Sequence, residues 1–529
     1  MNPCSPPPLL CVAALASSLW TVEPEAFLAM AQAPNILWIQ TDETRPDAWG
    51  CYGSAWAKTP NLDLLAAHGV VMKNCVCQSP VCTPSRSSQL TCLYPQECNV
   101  LLNDEVAWRD NIFPKGTVTF PEVFAQAGYE TVSLGKWHTP NHPTWQHVEQ
   151  DKLIEKYADF VQMGPGYTDD EFHVVKTPGP GKLNIIIGGT YPSREENPSR
   201  ILTNRAIDYL RDRKRDRPFL LRVSHNWPHT PVLPPPPFDR TYQPEEIPIQ
   251  YFDEQAYRMR AAYDRTIADA QRMRELTRKQ VGEIWKDYMS LCTYVDYEIG
   301  RLLAALRALG LEKDTVIMYS ADHGRALGEF GHGQKHTFDD QVWRVPFIWS
   351  WPGHLPEDQI REDLCELVDT GRTLLALAGI SKDAPVHWRG RDLFNDPIPA
   401  RENQIVFGQI GWPNVQAPLF ADPRVTEIRQ RFAHATGMEL EASWPIFSMM
   451  RVAVRTPRHR MDVSWMRDGR RLSLAESDGN LFDLRSDPFE KRNLWNDPSS
   501  RPIVADLMQK LERWFEGMDK PEAVFGRVF

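Results

Sequence analysis

Residues 35 to 44 read NILWIQTDET, and this stretch predicts the core of an α/β fold. Its first six residues are mostly apolar and indicate a strand buried on both faces, whereas the TDET that follows has no obvious structural role. The same change occurs where ETVSLG (130–135) runs into KWH, FLLRVS (219–224) into HNWPH, and TVIMYS (315–320) into ADHG. Because the carboxyl ends of strands form the binding crevice in open α/β sheets, we expect the four polar clusters to converge.

The other patterns divide the chain into a large and a small unit. YVDYEIGRLLAALRALG (294–310) has apolar residues three and four apart and predicts a helix that covers one sheet face and ends at Gly310. Antiparallel strands are predicted within 451–465 and 479–484, followed by an amphipathic helix over 502–515. The predicted units are an N-terminal extension or signal-like segment over 1–33, a catalytic domain over 34–445, and a small α+β subdomain with an antiparallel sheet over 446–529.

The composition is that of a globular protein and excludes several classes of partner. Of the 529 residues, 42% are hydrophobic and 24% charged, and the net charge of −10 argues against nonspecific binding to nucleic acid. Beyond the N-terminal region, no apolar stretch approaches the ~20 residues that span a bilayer, so we expect no membrane partner.

The N-terminal residues allow two interpretations. LLCVAALASSLW (9–20) resembles the apolar region of a signal peptide, and AMA (29–31) resembles a cleavage site. Arg45 is the first basic residue, however, so the basic region that precedes such a segment is missing. Met30 is therefore an alternative start, and we expect a cytoplasmic protein, with a periplasmic or secreted one as the alternative.

Most of the ten cysteines are predicted to be ordinary buried thiols. Six of them fall between Cys51 and Cys98, but the spacing of Cys75 and Cys77 does not fit a zinc cluster. This number is unremarkable in a reducing compartment. Cys82 is the exception.

Cys82 begins the segment CTPSRSSQLTCLYP (82–95), which places a Cys, a Pro and an Arg just before a helical run. The thiol is therefore expected near a helix N-terminus, a position that favours anions. Arg86 lies four residues on, where its guanidinium could hold an oxyanion or orient the residue formed from Cys82. A cysteine-phosphatase loop needs a longer spacing from Cys to Arg and more glycine.

Three segments resemble the sulfatase family of the alkaline phosphatase superfamily. PVCTPSRSSQLTCLYP (80–95) is similar to the family signature, TPNLDLLAAHGVVMKNC (59–75) to the segment before it, and GNLFDLRSDPFEKRNLWNDP (479–498) to the C-terminal segment. The resemblance covers 34–529 and implies a large, mixed but mostly parallel sheet sandwiched by helices. It also implies that a formylglycine-generating enzyme oxidises Cys82 to formylglycine (3-oxoalanine), which takes part in sulfate ester hydrolysis.

The same resemblance implies one divalent cation, usually calcium, with manganese or magnesium as alternatives. Oxygen ligands suit such a hard ion. Asp42 and Asp322 match two family ligands, and the residue formed from Cys82 completes the set. Glu43 stands where many members have a second Asp, and His323 where others have Asn.

The resemblance also assigns catalytic roles. Lys136 and His138 match the family's Lys and His pair, of which the Lys contacts sulfate and the His acts as a base on the hydrated aldehyde. His229 and Lys335 are implied to stabilise the ester and to help protonate the departing alcohol. Arg86 is expected to hold the anionic centre with Lys136. Three further histidines are candidates because they lie near these positions in the sequence: His225, His332 and His336.

Two other functions stay open. A phosphonate monoester or phosphodiester hydrolase shares the formylglycine and metal, and the short interval from Asp322 to Lys335 and the pair Asp322 and His323 also suit it. Lys136 and His138 favour a sulfatase, because that relative has hydroxyl residues there. A catalytically silent binding protein with this fold would have had to lose several residues together, and all the expected positions are occupied. The substrate is expected to be a small-molecule or saccharide sulfate ester, with specificity set by loops 139–200, 231–290 and 400–446. The aromatic tail AVFGRVF (523–529) suggests a homo-oligomer.

Overall fold

A computed structural model of the chain describes residues 33–103, 113–140, 147–150, 175–176, 186–411, 449–467 and 470–518. The predicted N-terminal segment, the tail 523–529 and much of the loops 139–200 and 400–446 lie outside these residues. No helix among the described residues is long and apolar enough to cross a membrane.

The centre of the fold is a nine-stranded sheet in the order β11-β2-β10-β8-β1-β7-β3-β4, with β9 paired to β2. The five strands from β8 to β4 run parallel, and β10 runs antiparallel to both of its neighbours. The predicted mixed, mostly parallel sheet is confirmed. Its strands, with the separate pair β5 and β6, are β1 (Asn35–Thr41), β2 (Val70–Val76), β3 (Glu130–Gly135), β4 (His147–Gln150), β5 (Val175–Lys176), β6 (Ile186–Gly188), β7 (Phe219–Ser224), β8 (Thr315–Ala321), β9 (Arg344–Val345), β10 (Phe347–Ser350) and β11 (Gln359–Glu366).

Helices cover both faces of this sheet. Along β1, Ile36 and Trp38 belong to one hydrophobic core and Leu37 and Ile39 to the other, as the two-residue period of a strand requires. The helices are α1 (Pro60–Ala67), α2 (Cys82–Thr91), α3 (Phe120–Gln126), α4 (Pro198–Asp212), α5 (Glu254–Met259), α6 (Ala262–Gln271), α7 (Arg278–Ala308), α8 (Asp340–Trp343), α9 (Asp369–Leu377) and α10 (Arg501–Glu516).

Helix α7 shows how local sequence sets the helix ends. Thr277 and Gln280 form a capping box at its start. At its end Gly310 adopts a φ of 70°, and the Leu311 amide donates to the Leu306 carbonyl at 3.1 Å. These contacts form a Schellman motif, which confirms the predicted stop at Gly310.

A second, antiparallel sheet packs against the core that contains Trp38. Its strands are β12 (Val406–Ile410), β13 (Met449–Arg455), β14 (His459–Arg467), β15 (Arg470–Arg471) and β16 (Gly479–Asp483). Gly408 of β12 sits so close to Phe338 and Trp343 that a Cβ would meet them at 2.8 and 2.9 Å. Strand β12 precedes residue 446, so one strand of this sheet lies in the range 34–445 that was predicted as the catalytic domain. The domain boundary at residue 446 stays a prediction.

Buried ion pairs join the two sheets. Arg260 after α5 binds Asp339 and donates to the Glu490 carbonyl at 3.0 Å. Arg460 of β14 binds Glu490 and Asp462 and lies 3.5 Å from Asp339. All of these side chains are almost completely excluded from solvent. Breaking one such pair leaves an uncompensated buried charge, so the network fixes how the small sheet docks.

Glu366 at the end of β11 gives a pH-dependent prediction. Burial and the nearby charge of Asp369 raise the pKa of Glu366 from its ordinary value of 4.5 to about 8. The protonated form therefore contributes stability below about pH 4.5, and that contribution is lost as the pH rises through 8. We expect Glu366→Gln to raise the melting temperature by about 2–4 °C at pH 9 and to change it little at pH 5, in thermal unfolding across that range.

Glu362 of the same strand is the matched control, because it is exposed. Glu362→Gln is expected to show no such pH dependence. A constant difference between the Glu366→Gln variant and the unsubstituted chain from pH 5 to 9 would contradict the raised pKa.

Candidate active site

The four predicted strand ends meet at one edge of the sheet, because β8, β1, β7 and β3 are consecutive neighbours. Helix α2 approaches this edge with Cys82 as its first residue, and every side chain of the helix is buried. The predicted convergence and the placement of Cys82 at a helix N-terminus are both confirmed.

Arg86 of α2 connects all four strand ends. Its Nη2 donates to Asp42 Oδ2 at 2.8 Å and its Nε to Asp322 Oδ2 at 2.7 Å, after β1 and β8 respectively. Its Nη1 donates to Ser224 Oγ at 2.9 Å and to the Lys136 carbonyl at 3.4 Å, at the ends of β7 and β3. The guanidinium therefore holds the two carboxylates in a fixed relation.

The thiol of Cys82 lies among cations. Its Sγ is 2.8 Å from Lys335 Nζ, 3.2 Å from His323 Nε2 and 3.8 Å from Asp42 Oδ1. Burial alone would raise the pKa of Cys82, but the charges of Lys335, Lys136 and His323 and a hydrogen bond with His138 hold it well below its ordinary value. A nucleophile or anionic group is therefore stabilised at this position.

Lys136 and His138 reach the site from the loop that follows β3. Lys136 Nζ lies 2.6 Å from Asp42 Oδ2, and His138 reaches Cys82. The backbone is not extended here, because β3 ends at Gly135 and His138 has a φ of 48°. Both side chains nevertheless approach the same centre.

Four groups offer a set of cation ligands. One ligand atom from each of Asp42, Cys82, Asp322 and His323 lies within 4.8 Å of the others. His323 Nδ1 donates to the Gly324 carbonyl at 2.8 Å, which directs Nε2 towards Cys82 and Asp322. Burial opposes a charge on His323, but Asp322 and Cys82 raise its pKa to about 9, and the same negative surroundings favour a divalent cation. Two carboxylates, an imidazole and the oxygen implied at position 82 fit such an ion.

Glu43 follows Asp42 in the chain, and its carboxylate contacts basic side chains of the site. Its Oε1 is 2.8 Å from Lys335 Nζ and 3.5 Å from His229 Nε2, while Oε2 binds Arg325. Burial opposes ionisation, but His229, Lys335 and Arg325 hold the pKa of Glu43 below its ordinary value. Asp42, Glu43 and His229 form a second possible ligand group. All ten predicted catalytic and metal-binding residues therefore lie in one connected cluster.

The three additional histidines differ in their positions. His332 is not at the site, because Nδ1 lies 3.1 Å from Asp339 Oδ2 and Nε2 lies 2.9 Å from the Asp264 carbonyl. His225 contacts Ser199 Oγ at 3.1 Å, and burial lowers its pKa to about 4. His336 is buried beside Lys335, and burial and that charge lower its pKa to about 3. We therefore expect His225 and His336 to be neutral.

Three buried residues at the cluster were not predicted from the sequence: Arg325 and Gln40 contact it directly, and Arg222 contacts it through Gln40. Arg325 binds Glu43, and Gln40 accepts hydrogen bonds from both Arg86 and Arg222. Arg222 carried a visible signal, because an arginine inside the apolar strand FLLRVS is unusual. Arg325 and Gln40 lie next to predicted site residues but match no recognised motif.

The chain is similar to known proteins along most of its length. The family described as Sulfatase matches residues 34–380. Iduronate 2-sulfatase of Homo sapiens is 29% identical and covers 90% of this chain and 94% of its own length.

Two solved structures share the fold. A phosphonate monoester hydrolase from Silicibacter pomeroyi superposes with a TM-score of 0.70 at 21% identity, covering 92% of this chain and 96% of its own. A protein solved with its substrate D-glucosamine-2-N,6-O-disulfate has a TM-score of 0.64 at 19% identity, covering 92% and 98%. Both resemblances concern the fold alone.

Proposed function

Because the chain belongs to the sulfatase family and is a sulfuric ester hydrolase, we propose that it hydrolyses the sulfate ester of a saccharide. In this proposal the reaction uses a divalent cation, calcium by preference, and a formylglycine that a formylglycine-generating enzyme makes from Cys82. The observation that carries the proposal is the setting of Cys82 between Lys335 at 2.8 Å and the ligand group of Asp42, Asp322 and His323.

The cation and the formylglycine would supply a polarised, nucleophilic oxygen at position 82. Asp42, Asp322 and His323 would hold the ion, and Arg86 would keep the two carboxylates apart and oriented. Lys136 and Lys335 would bind the sulfate oxygens from two sides, since each approaches the cluster through a carboxylate of the site. His138 would accept a proton at position 82, and His229 would give one to the departing alcohol.

A saccharide is proposed because of the relatives. Iduronate 2-sulfatase is named for a sugar acid, and one structural neighbour was solved with a glucosamine disulfate as its substrate. The phosphonate monoester hydrolase neighbour makes phosphonate esters the second substrate class to test. Lys136 and His138 at Asp42 and Cys82 favour the sulfate ester, as the sequence comparison implied.

The test is turnover by the full-length enzyme, coexpressed with a formylglycine-generating enzyme and supplied with calcium or manganese. Sulfated monosaccharides, an aryl sulfate, an aryl phosphonate and an aryl phosphodiester are assayed side by side, and intact mass reports conversion of Cys82 to the aldehyde. We expect saccharide sulfate hydrolysis to dominate, to need the cation and to vanish in Cys82→Ala.

Dominant phosphonate or diester hydrolysis would reject the sulfate proposal. An unconverted thiol, with turnover unchanged in Cys82→Ala, would reject the formylglycine. A converted enzyme that cleaves none of the esters would support the silent binding protein.

A further inference from the structure

Arg222, in the middle of β7, is a fully buried arginine behind the active site. Its Nη2 and Nε donate to Gln40 Oε1 at 2.6 and 3.2 Å, and its Nη1 donates to Ser133 Oγ at 3.3 Å. The guanidinium lies 4.8 Å from the ring centroid of Trp38 and 5.8 Å from that of Trp137. Among the described residues its hydrogen-bond acceptors are all neutral.

Such a group is costly to fold. Burial and the nearby charge of Arg86 outweigh the opposite effect of Asp322 and lower the pKa of Arg222 well below its ordinary value, yet a guanidinium keeps its proton in proteins. A buried charge without a carboxylate partner destabilises the native state, and an apolar residue of similar volume is often neutral or stabilising in such a place. A feature that violates a folding rule beside an active site indicates a functional requirement.

Gln40 connects this charge to the site. Its Oε1 accepts from Arg222 and also from Arg86 Nη1 at 3.2 Å, and its Nε2 donates to Gln89 Oε1 at 2.8 Å. Because this last bond fixes the orientation of the Gln40 amide, both guanidinium groups converge on one oxygen. Arg86 then carries the constraint to Asp42 and Asp322.

We propose that Arg222 is a positioning residue for anion binding: it fixes Gln40 and Arg86 and keeps an unneutralised positive charge behind the site. The charge of Arg86 is balanced by its ion pairs with Asp42 and Asp322, so Arg86 cannot supply this excess positive charge. Arg222 can, because among the described residues no carboxylate forms a hydrogen bond or ion pair with it, and charges act strongly at low dielectric. The consequence is tighter binding of the sulfate group in substrate and product.

The experiment measures the affinity of the mature, calcium-loaded enzyme for inorganic sulfate by calorimetry, together with kinetics and thermal unfolding. We expect Arg222→Met to weaken sulfate binding about tenfold and to raise KM more than it lowers kcat. The melting temperature should stay unchanged or rise, and Arg222→Lys should restore most of the affinity.

Arg451 of β13 is the matched control. It is also fully buried and lies 4.8 Å from the ring centroid of Tyr263, but it pairs with a carboxylate, Asp462 of β14 in the small sheet. Arg451→Met should lower the melting temperature and leave sulfate affinity unchanged.

Unchanged sulfate affinity in Arg222→Met would overturn the proposal. The proposal would also be overturned if Arg222→Met weakened sulfate binding and lowered the melting temperature as much as Arg451→Met does, and if Arg222→Lys did not restore the affinity. The inference rests on sulfate ester hydrolysis, but calorimetry with inorganic sulfate needs no turnover. An error in the proposed saccharide or in the formylglycine step would therefore not be mistaken for failure here.

Discussion

Arg86→Met is expected to reduce sulfate ester turnover by at least about 10³-fold and to destabilise the cation-free protein by about 3–5 kcal/mol. The reason is that Arg86 pairs with Asp42 at 2.8 Å and with Asp322 at 2.7 Å, and all three side chains are fully buried. Without the guanidinium, the two carboxylates repel each other with less positive charge to balance them, since Lys136 and His229 act on Asp42 and His323 acts on Asp322. Thermal unfolding and steady-state kinetics measure the two effects.

Calcium provides an internal check on this interpretation. A bound divalent cation would neutralise the same carboxylates, so saturating calcium should recover part of the lost stability in Arg86→Met but little of the activity. Arg86→Lys should keep more stability than the methionine variant, because one ammonium retains the charge, yet it cannot bridge both carboxylates. Full activity in either variant would show that Arg86 is not the connection between the strand ends.

The Arg86→Met and Arg222→Met variants are expected to differ in stability because Arg86 forms ion pairs with carboxylates and Arg222 does not. Both are fully buried and both bind Gln40. The methionine substitution removes a countercharge in one case and an unpaired charge in the other. Stability should therefore fall in the first variant and hold or rise in the second, while sulfate binding weakens in both.

The sequence predicted the strands of the site well, since residues 130–135 and 219–224 are β3 and β7 to the residue. Continuous apolar runs are a local signal, and a parallel sheet buries both faces of each strand. The polar residues after each run could be assigned to one site because the fold brings carboxyl ends together. A local pattern cannot show which side chain from a distant part of the sequence will pair with a given residue.

Glu43 and His332 illustrate what the sequence could not give. Glu43 binds Arg325, which is 282 positions away, and nothing in either segment alone indicates the pair. His332 lies in a Gly- and His-rich loop three residues from Lys335, yet it turns away to Asp339 in the network that anchors the small sheet. In each case tertiary packing decides which charged group a side chain meets. The strand β12, which joins the small sheet from before residue 446, was missed for the same reason.

His229→Gln is expected to slow hydrolysis of a saccharide or alkyl sulfate by about 10²–10³-fold but that of 4-nitrophenyl sulfate by less than about tenfold. The side chain of His229 is 25% exposed, whereas that of Lys335 is 7% exposed and binds Cys82. His229 Nδ1 is 2.7 Å from the Thr230 carbonyl, which directs Nε2 towards Glu43 and Lys335. The imidazole therefore stands at the open side, where an alcohol would depart.

Leaving-group dependence separates this role from that of Lys335. An alkoxide needs a proton as the bond to sulfur breaks, whereas 4-nitrophenolate leaves readily without one. Losing a general acid therefore slows hydrolysis of the saccharide or alkyl sulfate strongly and that of 4-nitrophenyl sulfate only slightly. Lys335→Met should instead slow both esters by similar factors, because a cation beside position 82 acts on the sulfate group that they share. Rates for a series of esters with increasing leaving-group pKa should fall more steeply for His229→Gln than for the unsubstituted enzyme. If the rates of both enzymes fell equally steeply with leaving-group pKa, His229 would be assigned to sulfate binding. Proton donation would then belong to another group, and Lys335 would be the next residue to test.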